Sequence, residues 1–107
     1  MLVMLMLALA GPNPHALDRP RKAYSACIHG FEAKSLAAKM DAGAYATALK
    51  TMCTAEAAAL ARALTDYDVA MGTRRAEAIA TAESDVADYR VTSEERFRDL
   101  MTSAKGN

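Results

Sequence analysis

Apolar residues fill every position from Leu2 to Ala10, and Gly11-Pro12-Asn13-Pro14 then ends the run. From Asp18 onward the pattern changes to apolar positions three and four apart, the spacing of a single helix face. Tyr24, Cys27, Ile28 and Phe31 share one such face, and Tyr45, Leu49, Met52 and Cys53 share another. Between the two lies Met40-Asp41-Ala42-Gly43, where Asp41 is a good N-cap because its carboxylate accepts from backbone N–H groups of the following turn. Asp18-Arg19-Pro20 reads as the start of the first helix, since proline in the first turn forfeits only an N–H that has no intrahelical partner. The spacing therefore predicts a first helix from about Arg19 to Met40 and a second beginning near Ala42.

Beyond Thr54 there is no proline, and Gly72 is the only glycine before Gly106. One phase runs through Leu60, Leu64, Tyr67, Met71, Arg75, Ala78, Ala82, Val86, Tyr89, Ser93, Phe97, Leu100 and Ala104. Its intervals repeat every eleven residues, which favours a straight or slightly right-handed stripe over a heptad coiled coil. Arg75 and Ser93 interrupt it. Two breaks are available, one at Gly72-Thr73 and one at Thr92, where Thr92-Ser93-Glu94-Glu95 matches a capping box. The unbroken phase favours a long helix with at most a kink.

The cysteines join these elements. Cys27 lies 13 residues before Met40 and Cys53 lies 13 after it, so in an antiparallel hairpin turning at Met40-Asp41 they stand level. Level cysteines on facing helices meet the requirement that bridged Cα atoms approach within about 7 Å. The expected fold is thus all-α: a disulfide-stapled antiparallel helical hairpin followed by a long third helix.

Composition supports this class, for alanine dominates the chain and loses the least on becoming helical. Alanine also makes a thin core, and a domain this small gains from a covalent staple. A bridge implies an oxidising compartment. The Leu2–Ala10 run is too short to span a bilayer and has the length of a signal-peptide core, with Ala8-Leu9-Ala10 as the small-x-small cleavage pattern. No Lys or Arg precedes the run. This reading makes residues 1–10 a signal peptide cleaved after Ala10, 11–18 a flexible leader, 19–104 one helical domain and 105–107 a tail. It places the mature chain in the periplasm or outside the cell, with no stable membrane anchor.

Charge adds little. Thirteen basic residues balance thirteen acidic ones, so no overall field draws nucleic acid. Residues 18–53 carry six Lys/Arg against three Asp/Glu, and those from Thr54 onward seven against ten, which favours a weak internal attraction. His15 falls in the leader. His29 follows Cys27 by two residues and so lies on nearly the opposite face, which disfavours a shared metal. Asp66/Asp68 and Glu94/Glu95 diverge around a helix, and Arg74-Arg75 and Arg96/Arg98 likewise read as solvated charge. Neither a phosphate loop nor a Ser–His–Asp set appears. No catalytic residue, metal ligand or cofactor is expected.

A long third helix would outrun the hairpin that covers it. Val86, Tyr89, Phe97 and Leu100 are then the candidate partner-binding face, for a second protein, an unfolded client or another copy of the chain. The alternative is a small-molecule or cofactor carrier, with Tyr24, Tyr45, Tyr67 and Tyr89 supplying hydroxyls inside a helical bundle.

Overall fold

The computed structural model describes residues 12–106. The proposed signal peptide and its cleavage site lie outside the described residues. Asn13 caps a short 3-10 turn, Pro14–Leu17, through an acceptor bond from the His15 N–H at 3.0 Å. His15 Nδ1 lies 3.1 Å from Asp18 Oδ2. Leu17 is buried against the core. Residues 14–18 therefore belong to the domain and are not a loose leader.

Helix α1 spans Asp18–Ala37 and turns Tyr24, Ile28, Glu32 and Ser35 inward. It ends in a Schellman motif: the Met40 N–H donates to the Ser35 carbonyl and the Lys39 N–H to that of Leu36. Lys39 holds the left-handed conformation of that motif, at φ 54°. Asp41 then caps α2, Ala42–Leu49, accepting from the Ala44 N–H at 3.1 Å. The second helix is shorter than its apolar spacing predicts. The chain turns through Lys50–Cys53 before α3, Thr54–Ala70, begins, and Cys53 sits at φ 60°. The turn breaks the helical period, which leaves Met52 exposed instead of inward.

The third segment is divided at Gly72, the first of the two breaks the sequence offers. Gly72 takes φ 105°, and the Thr73 N–H closes a second Schellman motif onto the Asp68 carbonyl. Helix α4, Arg75–Gly106, then returns along α3. At 32 residues it is about 48 Å long. It passes through Thr92 without a break, because Ser93 is buried and its hydroxyl is engaged by side chains of α1 and α2.

The result is three helical arms side by side. Tyr24 meets Tyr89 and Glu32 meets Arg96, so α1 and α4 run parallel. The middle arm, α2 followed by α3, runs opposite to both. Ala78 and Ala82 of α4 are fully buried where it runs along α3, and side chains this small permit close helix packing. The bulk is concentrated where α1, α2 and α4 meet. There the Phe31 and Tyr45 rings stack at 5.3 Å and the Tyr45 and Phe97 rings at 4.0 Å.

The bridge forms as the spacing predicts. Cys27 and Cys53 are joined, with Cα atoms 5.9 Å apart. Gly30 does not serve the close approach its position beside the bridge suggests, for a Cβ there would meet nothing within 4 Å. Two glycine substitutions should therefore act in opposite directions. Gly30→Ala is expected to stabilise the fold by about 0.5–1 kcal/mol, by removing backbone entropy from an exposed helical position. Gly72→Ala is expected to destabilise it by about 1–2 kcal/mol, because its left-handed backbone crowds a Cβ. Urea midpoints that move in the same direction for both would contradict this account.

Candidate functional site

Among the described residues the bundle contains one buried polar cluster that joins several helices. Glu32 on α1 presents its carboxylate to α4, where Arg96 grips it through Nε at 2.8 and 3.0 Å and Nη2 at 2.8 Å. Ser93, one turn earlier, donates its hydroxyl to Glu32 Oε2 at 2.9 Å. Its single proton thus committed, Ser93 Oγ accepts from the Tyr45 hydroxyl of α2 at 2.7 Å. The chain Tyr45–Ser93–Glu32–Arg96 therefore links α1, α2 and α4. Tyr45 and Ser93 are wholly buried, Glu32 is nearly so, and the Arg96 side chain reaches solvent.

Burial pushes the Glu32 carboxyl up, but the hydrogen bonds from Arg96 and Ser93, with the Arg96 charge, outweigh it and hold the group below its ordinary value. Tyr45 goes the other way. Burial raises its phenol, and the Ser93 hydrogen bond offsets this only in part. The Arg96 guanidinium is raised chiefly by its hydrogen bond to Glu32. Reading Arg96 as solvated surface charge is thus corrected: it is the counter-ion of a buried acid. Ser93, which interrupts the apolar stripe, occupies an inward position as the polar link of this cluster. A polar residue in an inward phase was the available signal, and Glu32, four residues after Ile28, carries the same one.

The candidate partner-binding face is placed differently from the expectation. Val86 and Phe97 are buried in the chain's own core, and Tyr89 is half-buried against Tyr24. Because the chain folds back at Gly72, these side chains are covered by α1, α2 and α3. Leu100 alone of the four stays exposed, at 41 %. It lines an apolar groove of about 750 Å³ at the end of the bundle, with Leu36, Ala42, Met101 and Ala104. Lys39, Asp41 and Arg98 stand at its rim. The Asp41 carboxylate accepts from the Ala44 N–H as the α2 cap, and the two cations against this one anion leave the rim net basic.

A second, more polar groove of about 530 Å³ runs between α1 and α4. Arg21 and His29 come from α1, Asp85, Asp88, Tyr89 and Arg96 from α4, and Ile28 and Leu64 lie beneath them. Tyr24 and Tyr45 serve the core; Tyr89 is the tyrosine that reaches this groove. Among the described residues no three His, Cys, Asp or Glu side chains gather as a metal site, and no helix is long and apolar enough to cross a membrane. Comparison with protein-family models, curated proteins and solved structures finds no match for this chain.

Proposed function

We propose that this chain is a non-catalytic binding protein of an oxidising compartment outside the cytoplasm. Its groove at the α1–α2 turn would hold an apolar segment of a partner protein that carries an acidic flank. The observation that carries this reading is the groove around Leu100. Four apolar neighbours line it, a large apolar residue in it remains exposed, and Lys39 and Arg98 outnumber Asp41 on its rim. Exposed apolar surface rimmed by polar residues is the usual mark of a protein interface. Basic rim charges favour an acidic neighbour to the apolar anchor, by complementarity and by steering the encounter. The Cys27–Cys53 bridge and the apolar run Leu2–Ala10 support export to the periplasm or the exterior.

The test is site-specific photocrosslinking in the protein's own source, with a photoreactive residue at position 100 and, as control, at position 91. Val91 is also exposed but lies away from the groove. The expected result is one stoichiometric crosslinked protein from position 100, weakened about tenfold by Arg98→Glu and absent from position 91. Equal crosslinking from both positions, or none from either, would overturn the proposal.

A further inference from the structure

The groove between α1 and α4 sets opposite charges facing each other without closing them into a pair. Glu32 and Arg96 are 64 residues apart in sequence and side by side in space, and the two helices run parallel. The same offset puts Arg21 level with Asp85, and Asp88 lies one turn further along that wall. Yet the only ion pairs among the described residues are His15–Asp18 and Glu32–Arg96. Arg21, Asp85 and Asp88 are all exposed and all line the groove. Beneath them the floor is apolar, with Ile28 and Leu64 buried and the Tyr89 ring half-buried. Its volume of about 530 Å³ falls within the roughly 300–1,000 Å³ of small-molecule sites.

We propose that this groove binds a small amphoteric molecule with a carboxylate, an ammonium group and an apolar side chain, the chemistry of a free apolar amino acid. Arg21 on the α1 wall takes the carboxylate as a charge-assisted, two-pronged contact. Asp88, with Asp85, takes the ammonium on the α4 wall. The apolar side chain lies over Ile28 and Leu64 and against Tyr89. A molecule with both charges satisfies both walls, whereas one with a single charge leaves the opposite wall without its counter-ion. The Glu32–Arg96 pair is already neutralised internally and sets the far end of the groove without competing for the ligand. This site is separate from the Leu100 groove, so either proposal stands or falls without the other.

The experiment is an amide NMR titration of the oxidised, isotope-labelled protein with leucine, isoamylamine and isocaproate. The two analogues are leucine without its carboxylate and leucine without its amine. Leucine is expected to shift the amides of the α1 and α4 walls saturably at millimolar concentration, and each analogue to bind at least about tenfold more weakly. Arg21→Gln should abolish the preference for leucine over isoamylamine, and Asp88→Asn should reduce the preference over isocaproate, Asp85 remaining for the ammonium. Both side chains are exposed, so both variants should keep the wild-type spectrum elsewhere. The proposal is overturned by the absence of saturable shifts with leucine, as an Arg21–Asp85 pair closed in solution would produce. An analogue binding as tightly as leucine, or variants that leave the preferences unchanged, would overturn it equally.

Discussion

Replacing both Cys27 and Cys53 by serine is expected to cost about 3–4 kcal/mol of stability, the loss attached to a closed loop of this length on the chain-entropy model. The bridge joins residues 26 apart in sequence. Without it the unfolded chain regains the freedom of that loop, which is the main part of the loss. A second part is local. Cys53 sits at φ 60°, a conformation that L-residues adopt at a cost, and it separates α2 from α3. Once released from Cys27, residue 53 has reason to return to the right-handed region, which would straighten the middle arm and pull Tyr45 from its stack with Phe31 and Phe97. At roughly 4–8 °C per kcal/mol for a domain of this size, the melting temperature should fall by about 12–30 °C. Thermal melts of wild type, reduced wild type and the double variant check this. The last two should coincide, and an unchanged melt on reduction would refute the staple.

The second large effect is expected at Arg96. Arg96→Met should cost about 3 kcal/mol, the lower end for breaking a buried ion pair, because the guanidinium is itself 37 % exposed and partly screened. The loss comes less from the missing attraction than from what stays behind: a Glu32 carboxylate with 8 % exposure and Ser93 as its remaining donor. The pH dependence follows from the direction of the shift. In the wild type the folded Glu32 carboxyl lies below its ordinary value of 4.5. Its contribution is therefore complete above that value and drains away as pH falls through the folded one. In Arg96→Met only the Ser93 hydrogen bond and the more distant His29 charge oppose burial, so the carboxyl rises relative to the wild type and protonation relieves the variant. The stability gap between wild type and variant should accordingly narrow as pH is lowered from neutrality toward 4. Urea unfolding at several pH values measures it, and a gap that stays constant would show that Glu32 is not the group left behind.

The two effects also separate what holds the ends of the bundle. The bridge constrains α1 against the start of α3, whereas the Tyr45–Ser93–Glu32–Arg96 chain and the Phe31–Tyr45–Phe97 stack bind α1, α2 and α4. Tyr45 takes part in both the stack and the chain of hydrogen bonds. Its register is therefore specified twice, by shape and by polar partner, in a core otherwise made largely of small residues.

Much of the architecture follows from local chemistry alone. The all-α class comes from alanine and from apolar spacings of three and four. The turn at Lys39–Asp41 comes from an N-capping carboxylate, and the Cys27–Cys53 bridge from equal distances to that turn. Each of these depends on residues within a few positions of one another, or on simple counting along a helix. The turn at Gly72 was legible only as one of two candidates. Thr92 carried the better capping signature, yet Ser93 beside it has its hydroxyl engaged by Glu32 and Tyr45, partners 61 and 48 residues away. The early end of α2 had no local signal; there the chain bends so that Cys53 reaches Cys27.

The sequence by itself determined the inward face over the middle of each helix, because amphipathic period is a local property, but near the helix ends Met52, Met71, Arg75, Leu100 and Ala104 turn outward. Only the tertiary structure decided what covers that face. Folding back at Gly72 turned Val86, Tyr89 and Phe97 from a surface awaiting a partner into the chain's own core. It also gave a lone inward Glu32 its counter-ion and left Leu100 and the Arg21–Asp85 groove as the surfaces on offer. The physical reason is distance along the chain: helix propensity and capping act over three or four residues, whereas the contacts that seal or expose a site join positions some 50–65 residues apart.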